Sequence, residues 1–508
     1  VTRTEPPQTR EPPPVTIQNI LYWAFAAYLV ATGIYIISEN RQPSKTFSWM
    51  LLFTALPGVG VLIYFLFGRD LSFGHSRTLM QQDLAGRLAP LLGGIEPQHQ
   101  DALRRMANDP GASRELAELV RSTSHSPVTT RNSLQILRNA DEAYPPLLRD
   151  MRHARHSIHL QFYSWNADEL GGELKRILHQ KVAEGVEVRI LYDPIGSLLM
   201  LKRRYIREMR AGGVRMEPFS KLWRLHTISY RNHRKIAVFD GLIGHTGGLN
   251  IGGEHIEPPK GFDLWRDTNI RVVGSAASLL QVVFAIDWHN ATGEDLLTPQ
   301  YFPPAPAEEP DPAPEQPSGV IDSEAGVPVQ MSVSGPDSEW RAIRQLYFAL
   351  ITSARSHVYL QSPFFILDVS IAEALKAAAL AGIDVRIMIS ERGTGQYIPY
   401  WAAHTYMEDI AASGAQVLLY RSGYLHAKIL SIDGEIVSIG SANIDIRSFS
   451  INYELNAVIY DRDAAGQVEA DFHRDIADCV EFTVEGYRAR GRLLRFRDSV
   501  CRLLSPLM

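Results

Sequence analysis

Two stretches of this chain carry a histidine, a lysine and an aspartate at one spacing: His233, Lys235 and Asp240, then His426, Lys428 and Asp433. The alternation along Arg234–Phe239 and Ala427–Ile432 predicts a strand in each, and residues two apart on a strand share a face. His and Lys therefore point together into one pocket. A glycine-rich turn follows, offering the Asn250 amide in the first stretch and the Ser441 hydroxyl and Asn443 amide in the second. The start of the next helix would add backbone N–H donors. A neutral imidazole, an ammonium group and amide donors in one place suit a phosphate. They do not suit a metal, because lysine is a poor ligand and no cluster of carboxylates and histidines at ligand spacing accompanies the pair. No metal and no cofactor is expected.

Alone, such a triplet is ordinarily a structural histidine beside a surface lysine. Here it sits inside a longer repeat. Arg231–Ile251 matches Tyr424–Ile444 without a gap, with His, Lys, Ile, Asp, Gly, Ile, Gly, Asn and Ile coinciding in order. Upstream, His153–Gln161 recurs as Ser353–Gln361, and Gly185–Leu191 recurs as Gly382–Met388. The chain therefore holds two copies of one domain. Each copy alternates helical stretches with strands, such as Ile158–Tyr163 and Val186–Tyr192, which implies an α/β sheet with helices packed against it. The proline- and acid-rich run Pro303–Pro317 separates the copies as an exposed linker.

The elements before the repeat are of another kind. Ile17 to Ile37 carries no charged residue and matches the roughly 20 residues that a bilayer-spanning helix needs. A second uncharged run covers Phe47 to Phe67, with Trp49 near one end and Arg69 just past the other. Together they predict a two-helix transmembrane hairpin with helices at about 17–37 and 47–67. Pro57 and Gly58 inside the second are tolerated in a bilayer when neighbours satisfy the freed backbone. A cleaved signal peptide is disfavoured, since a second spanning run follows at once. Arg3, Arg10 and Arg69 against Arg41 and Lys45 lean toward a cytoplasmic catalytic body. The expected organisation is tail and hairpin over 1–70, a helical linker over 71–126, the first repeated domain over 127–302, the linker over 303–325, and the second domain over 326–508. The last ends in a basic amphipathic stretch, Arg488–Arg502, with Leu493, Leu494 and Phe496 as a lipid-facing side.

With 508 residues, one hydrophobic core is excluded and at least two domains are expected. A formal net charge of -5 argues against a nonspecific nucleic-acid binder. The two cysteines, Cys479 and Cys501, encode neither a disulfide framework nor a zinc finger.

The paired motifs resemble the twin HKD motifs of the phospholipase D superfamily, and the resemblance covers nearly the whole chain. Within it the chain is similar to the bacterial cardiolipin synthases, through HLQFYSW, YDPIGS, RNHRKIAVFDG, LWRDTNIRV, DWHNATGED, YLHAKILSIDG, GSANIDIRSFSINYELNAVIYD and the closing RLLSPLM. One departure is Gly248 in the first copy where the second has Ser441. The resemblance implies two phospholipase D-like domains facing each other across a pseudo-twofold and sharing one site. One histidine would form a phosphohistidine and the other would act as general acid and base. Lys235, Lys428, Asn250, Ser441 and Asn443 would hold the phosphate, while Asp267 and Glu454 would orient the histidines. Asp240 and Asp433 would hold strand and turn together. It further implies a multi-pass enzyme of the bacterial inner membrane that acts on phosphatidylglycerol and other anionic phospholipids, with no nucleic-acid partner. The expected reaction is transfer of a phosphatidyl group to a second phosphatidylglycerol; hydrolysis to phosphatidic acid is the alternative. A nuclease or a nonenzymatic membrane scaffold is disfavoured by the hairpin and by two complete motifs.

Overall fold

The computed structural model describes residues 16–39, 43–64, 68, 86–108, 111–220, 229–303, 319–322, 326–395, 397–503 and 505. The chain divides into two compact units, Val1–Phe73 and Gly74–Met508. In the first, α1 (Ile17–Ser38) is capped by Thr16, whose side chain accepts from the Asn19 N–H at 3.3 Å. Among the described residues it is the one helix long and apolar enough to cross a membrane. The second apolar run departs from the expected single helix over 47–67. It forms α2 (Pro43–Ala55) and α3 (Val59–Ile63), interrupted at Leu56, Pro57 and Gly58. Pro57 has no N–H to continue the ladder, and Gly58 takes a φ of 75° that a side chain would oppose. The chain then folds back, because the Tyr64 ring lies 5.0 Å from Trp49 and 5.5 Å from Phe53. A straight helix would separate residues 53 and 64 by about 16 Å. Arg3, Arg10, Arg41 and Arg69, which underlie the sidedness expectation, fall outside the described residues, as does most of the Pro-rich linker.

The second unit is built on two eight-stranded sheets in which seven strands follow the same order and the eighth is added at opposite ends. The first half supplies β1 (Asn132–Arg138), β2 (Ser157–Phe162), β3 (Glu187–Tyr192), β4 (Arg215–Pro218), β5 (Ile236–Phe239), β6 (Ile243–Gly247), β7 (Trp265–Arg266), β8 (Thr268–Gly274) and β9 (Val320–Ile321). Its order is β4-β3-β2-β5-β6-β8-β1-β9, with β7 outside the sheet. The second half supplies β10 (Val329–Ser334), β11 (His357–Ser362), β12 (Phe365–Ile366), β13 (Asp384–Ser390), β14 (Gln416–Tyr420), β15 (Tyr424–Leu425), β16 (Ile429–Ile432), β17 (Ile436–Gly440), β18 (Ile444–Asp445), β19 (Glu454–Ile459) and β20 (Cys479–Phe482). Read from its far edge, that sheet runs β20-β14-β13-β11-β16-β17-β19-β10. Strands β2, β3 and β4 run parallel, as do β11, β13 and β14, and the motif strand, β5 or β16, pairs antiparallel with β2 or β11.

The motif aspartates explain why distant repeat segments travel together. Asp240 and Asp433 turn the chain with φ of 53° and 56°. The Asp240 carboxylate accepts the N–H groups of Arg155, His156 and Ser157, and Asp433 those of Arg355, Ser356 and His357. Each thus ties its turn to the start of β2 or β11. The outer face of each sheet is covered by helices, such as Asn139–His153 and Glu169–Ala183 in the first half. The inner faces share one core, in which Ile236, Val238 and Ile270 pack in one cluster with Ile429, Val437 and Met388. Burial of that shared apolar surface joins the halves.

Candidate active site

His233 and Lys235 sit in the extended segment just ahead of β5, and His426 and Lys428 just ahead of β16. These segments are held by the opposite half. β15 pairs in parallel with β7, and the His426 N–H donates to the Arg266 carbonyl at 2.7 Å. Reciprocally, Asn232 bridges to Tyr453, and the His233 N–H donates to the Tyr453 carbonyl at 2.9 Å. Each histidine is therefore anchored to the residue preceding an acid of the other copy. The side chains follow the backbone. His233 Nδ1 lies 3.0 Å from Glu454 Oε2, and His426 Nδ1 lies 2.6 Å from Asp267 Oδ2. The expected acids are the partners, and they are exchanged between halves.

Both acids are fully buried and further braced. Glu454 accepts from the Ser441 hydroxyl and, at 3.2 Å, from the Asn452 amide. Asp267 accepts the Thr268 N–H at 2.8 Å. Ser441, expected among the phosphate ligands, thus commits its one proton to Glu454. Gly248 stands at the equivalent place in the first half, where a Cβ would fall 2.0 Å from Asp267 Oδ1. Asn250 Oδ1 accepts the Ser164 N–H at 3.2 Å, which leaves its NH₂ to donate elsewhere. The buried Asn443 Oδ1 has no hydrogen-bond partner among the described residues. Lys235 Nζ donates to the His233 carbonyl at 2.7 Å, and Lys428 Nζ donates to the His426 carbonyl. That leaves other ammonium protons for a ligand.

Burial governs the electrostatics of the site. It lowers Lys235 to about 7 and Lys428 to about 8, against the pull of Glu454 and Asp267. Burial and the lysines also hold His426 well below the usual histidine range, and burial lowers His233 despite Glu454. Burial raises Asp267. For Glu454 burial also opposes ionisation, but His233, Lys235 and Ser441 overcome it and the carboxyl is lowered. A phosphodiester anion between the lysines would oppose the lowering of the lysines and histidines.

Several contributors escaped the sequence reading. Tyr163 packs edge-on to His233 at 4.9 Å, and Trp265 lies 5.3 Å from His426. Both belong to quoted blocks, FYSW and LWRD, whose aromatic residues were the available signal. His255, buried and pushed down to about 3, accepts the Asn250 N–H at 3.3 Å and stays neutral. Arg234 Nη1 donates to both carboxylate oxygens of Asp287 at 2.6–2.7 Å, and its Nε donates to the Glu454 carbonyl at 3.3 Å. Arg266 bonds Asp475 at 2.7 Å and the Asp267 carbonyl at 2.5 Å. Among the described residues no group of three or more His, Cys, Asp or Glu is placed to hold a metal ion.

A family model described as "Cardiolipin synthase, PLD-like domain" matches residues 147–288 and 347–476, and one for the "Phospholipase_D-nuclease N-terminal" region matches 20–69. The chain is 37% identical to a cardiolipin synthase of Halalkalibacterium halodurans over 97% of this chain and 95% of that one. It is 36% identical to the major cardiolipin synthase of Bacillus subtilis over 97% of this chain and all of the other (100%). Among solved structures, the phosphatidylserine synthase of Haemophilus influenzae superposes with a TM-score of 0.56 at 16% identity, covering 77% of this chain and 96% of that one, a likeness of fold. The family model over both repeated domains and this extent of identity place the chain in the cardiolipin synthase family of the phospholipase D superfamily.

Proposed function

We propose that the shared site moves a phosphatidyl group from one phosphatidylglycerol to the glycerol hydroxyl of another, giving cardiolipin and glycerol. The observation that carries this reading is the reciprocal pairing of each histidine Nδ1 with a buried acid, which leaves Nε2 as the reactive nitrogen of both rings. His233 is the nucleophile in this reading, supported by the ionised Glu454 that fixes its Nδ1–H and leaves a lone pair on Nε2. Nε2 attacks phosphorus, and the P–O bond to the departing glycerol breaks. The departing oxygen takes a proton from Nε2 of His426, which the bound anion has helped to protonate. His426, now neutral, removes the proton of the incoming hydroxyl. That oxygen attacks phosphorus, the P–N bond breaks, and both rings return to their starting states. Lys235, Lys428 and the Asn250 and Asn443 amides hold the equatorial oxygens throughout.

In this reading α1 spans the inner membrane of a bacterial cell, α2 and α3 form a second membrane segment, and the catalytic unit stands on the cytoplasmic side. Water competes with the lipid hydroxyl for the same intermediate, so synthesis depends on an oriented acceptor. Purified chain in phosphatidylglycerol bilayers is expected to release glycerol and form cardiolipin in equal amounts, with little phosphatidic acid. Phosphatidic acid as the main product would replace the synthase reading by hydrolysis.

A further inference from the structure

Parallel strands β2 and β3, and their counterparts β11 and β13, point their carboxyl ends toward the histidines, and the loops leaving β3 and β13 surround that end of the sheets. The loop after β3 is fastened to the site. Asp193 accepts the Asn232 N–H next to His233, and Ser197 bonds the Tyr163 carbonyl and the Trp165 N–H. Yet its tip, Leu198, Leu199 and Met200, faces outward, with Leu199 91% exposed. After the buried Leu201 come the exposed Lys202 and Arg203. The loop after β13 repeats the arrangement: Ser390 accepts the Leu425 N–H next to His426, while Tyr397 (64% exposed) and Ile398 stand out at the start of the helix Tyr397–Ala411.

The helix Arg492–Leu503 extends this second tip. It lies along Tyr397–Ala411 in the same direction, since Arg497 stacks on Trp401 and Arg502 on Tyr406. Its first turns therefore stand beside Tyr397. Asp498 and Cys501 face inward, whereas Leu493, Phe496, Val500 and Leu503, at helical spacing, form an outward apolar stripe with Leu493 84% and Phe496 69% exposed. Arg492 and Arg495 border the stripe. Apolar residues held out in water, bordered by cations and ringing a site, call for an occupant that is apolar inside and anionic at its surface.

We infer that the mouth of the site docks on an anionic phospholipid bilayer through the Leu198–Met200 tip, the Tyr397–Ile398 tip and the outer stripe of Arg492–Leu503. The inference rests on the lipid-transfer reading and adds where the lipid enters. Docking lets a phosphatidylglycerol headgroup rise between the two tips to the histidines while its acyl chains stay in the bilayer. The test uses the full chain in phosphatidylglycerol nanodiscs, in a background lacking Cys479 and Cys501 that still makes cardiolipin. A fluorophore is placed at Leu199→Cys, at Tyr397→Cys, or at Glu184→Cys, an exposed position at the opposite end of β3. Lipids with nitroxides on the acyl chain are expected to quench positions 199 and 397 several-fold more than 184. Equal quenching at all three, or none at 199 and 397, overturns docking. In mixed micelles, the double variant Leu199→Ser and Tyr397→Ser is expected to raise the apparent KM for phosphatidylglycerol about tenfold with kcat unchanged; an unchanged KM also overturns it. Cardiolipin formation in the same nanodiscs reads the reaction separately: product without tip quenching defeats docking alone, and tip quenching without product defeats the lipid-transfer reading.

Discussion

The two halves of the catalytic unit share a sheet order and the spacing of histidine, lysine and aspartate, but they differ around the acid each presents to the other. The first half offers Asp267 beside Gly248; the second offers Glu454 beside Ser441, with Asn452 as a further donor. The first half also supplies both bracing arginines, since Arg234 and Arg266 correspond to Ala427 and Tyr453 in the second. Parts that do one job twice, the lysines and the turn aspartates, are alike. The parts that tune each ring are not. A carboxylate held ionised by several donors and one raised by burial give two imidazoles unequal basicity. A displacement in two steps needs that inequality, with one ring as nucleophile and the other as proton carrier.

The comparison breaks most visibly if either histidine works alone. His233→Ala and His426→Ala are each expected to lower cardiolipin formation at least about a thousandfold. Glycerol release is the assay, and an unchanged melting temperature shows that the fold is kept. Substantial turnover by either variant would mean two independent sites. Lys235→Met and Lys428→Met come next, at about a hundredfold each, as for loss of one preorganised donor at the developing charge. An effect confined to one lysine would show that the phosphate leans on a single half. Because the lysines and amides supply the charge, activity in detergent micelles is expected to survive EDTA. Loss restored by one specific metal would refute that part of the account.

Gly248 and Ser441 probe the difference between the halves. Gly248→Ser places a Cβ against the Asp267 carboxylate and should displace it from His426, lowering kcat by about a hundredfold. Ser441→Gly removes one hydrogen bond from Glu454, with an expected loss of about tenfold. Equal effects, measured as kcat at saturating phosphatidylglycerol, would mean that the halves are interchangeable. The smallest effect is on pH. Lys235 and Lys428 are charged below their lowered values of about 7 and 8 and lose their protons as pH rises through them. kcat/KM, which reports the free enzyme, should therefore fall above about pH 7 to 8. Bound phosphate keeps the lysines charged, so kcat should fall only at higher pH. Coincident alkaline limbs for the two parameters would contradict this.

Much of this site was legible in the sequence because the repeat supplied its own control: one triplet means little, two in register mean a shared task. The acids Asp267 and Glu454 were legible only through the family resemblance. Their exchange between halves was not, because spacing along a chain says nothing about which of two similar strands a segment pairs with. That is decided by β7 with β15 and by Asn232 with Tyr453. The bond from Ser441 to Glu454 was not legible either, since a hydroxyl near a phosphate site can serve the acid as well as the ligand. Pro57 and Gly58 did announce the break between α2 and α3. They were set aside because the hydropathy of the run, which measures length and polarity, does not register direction.

One site with one nucleophile, built by both halves, passes through an intermediate that can be trapped. Phosphatidyl-p-nitrophenol, radiolabelled in its acyl chain, needs no proton on its leaving group, so the first step can proceed without His426. The His426→Ala chain is expected to release one equivalent of nitrophenol and to retain label on His233, located by peptide mapping. The His233→Ala chain should retain none. Label on His426 in the His233→Ala chain, or multiple turnovers by either variant without a trapped adduct, would contradict the account.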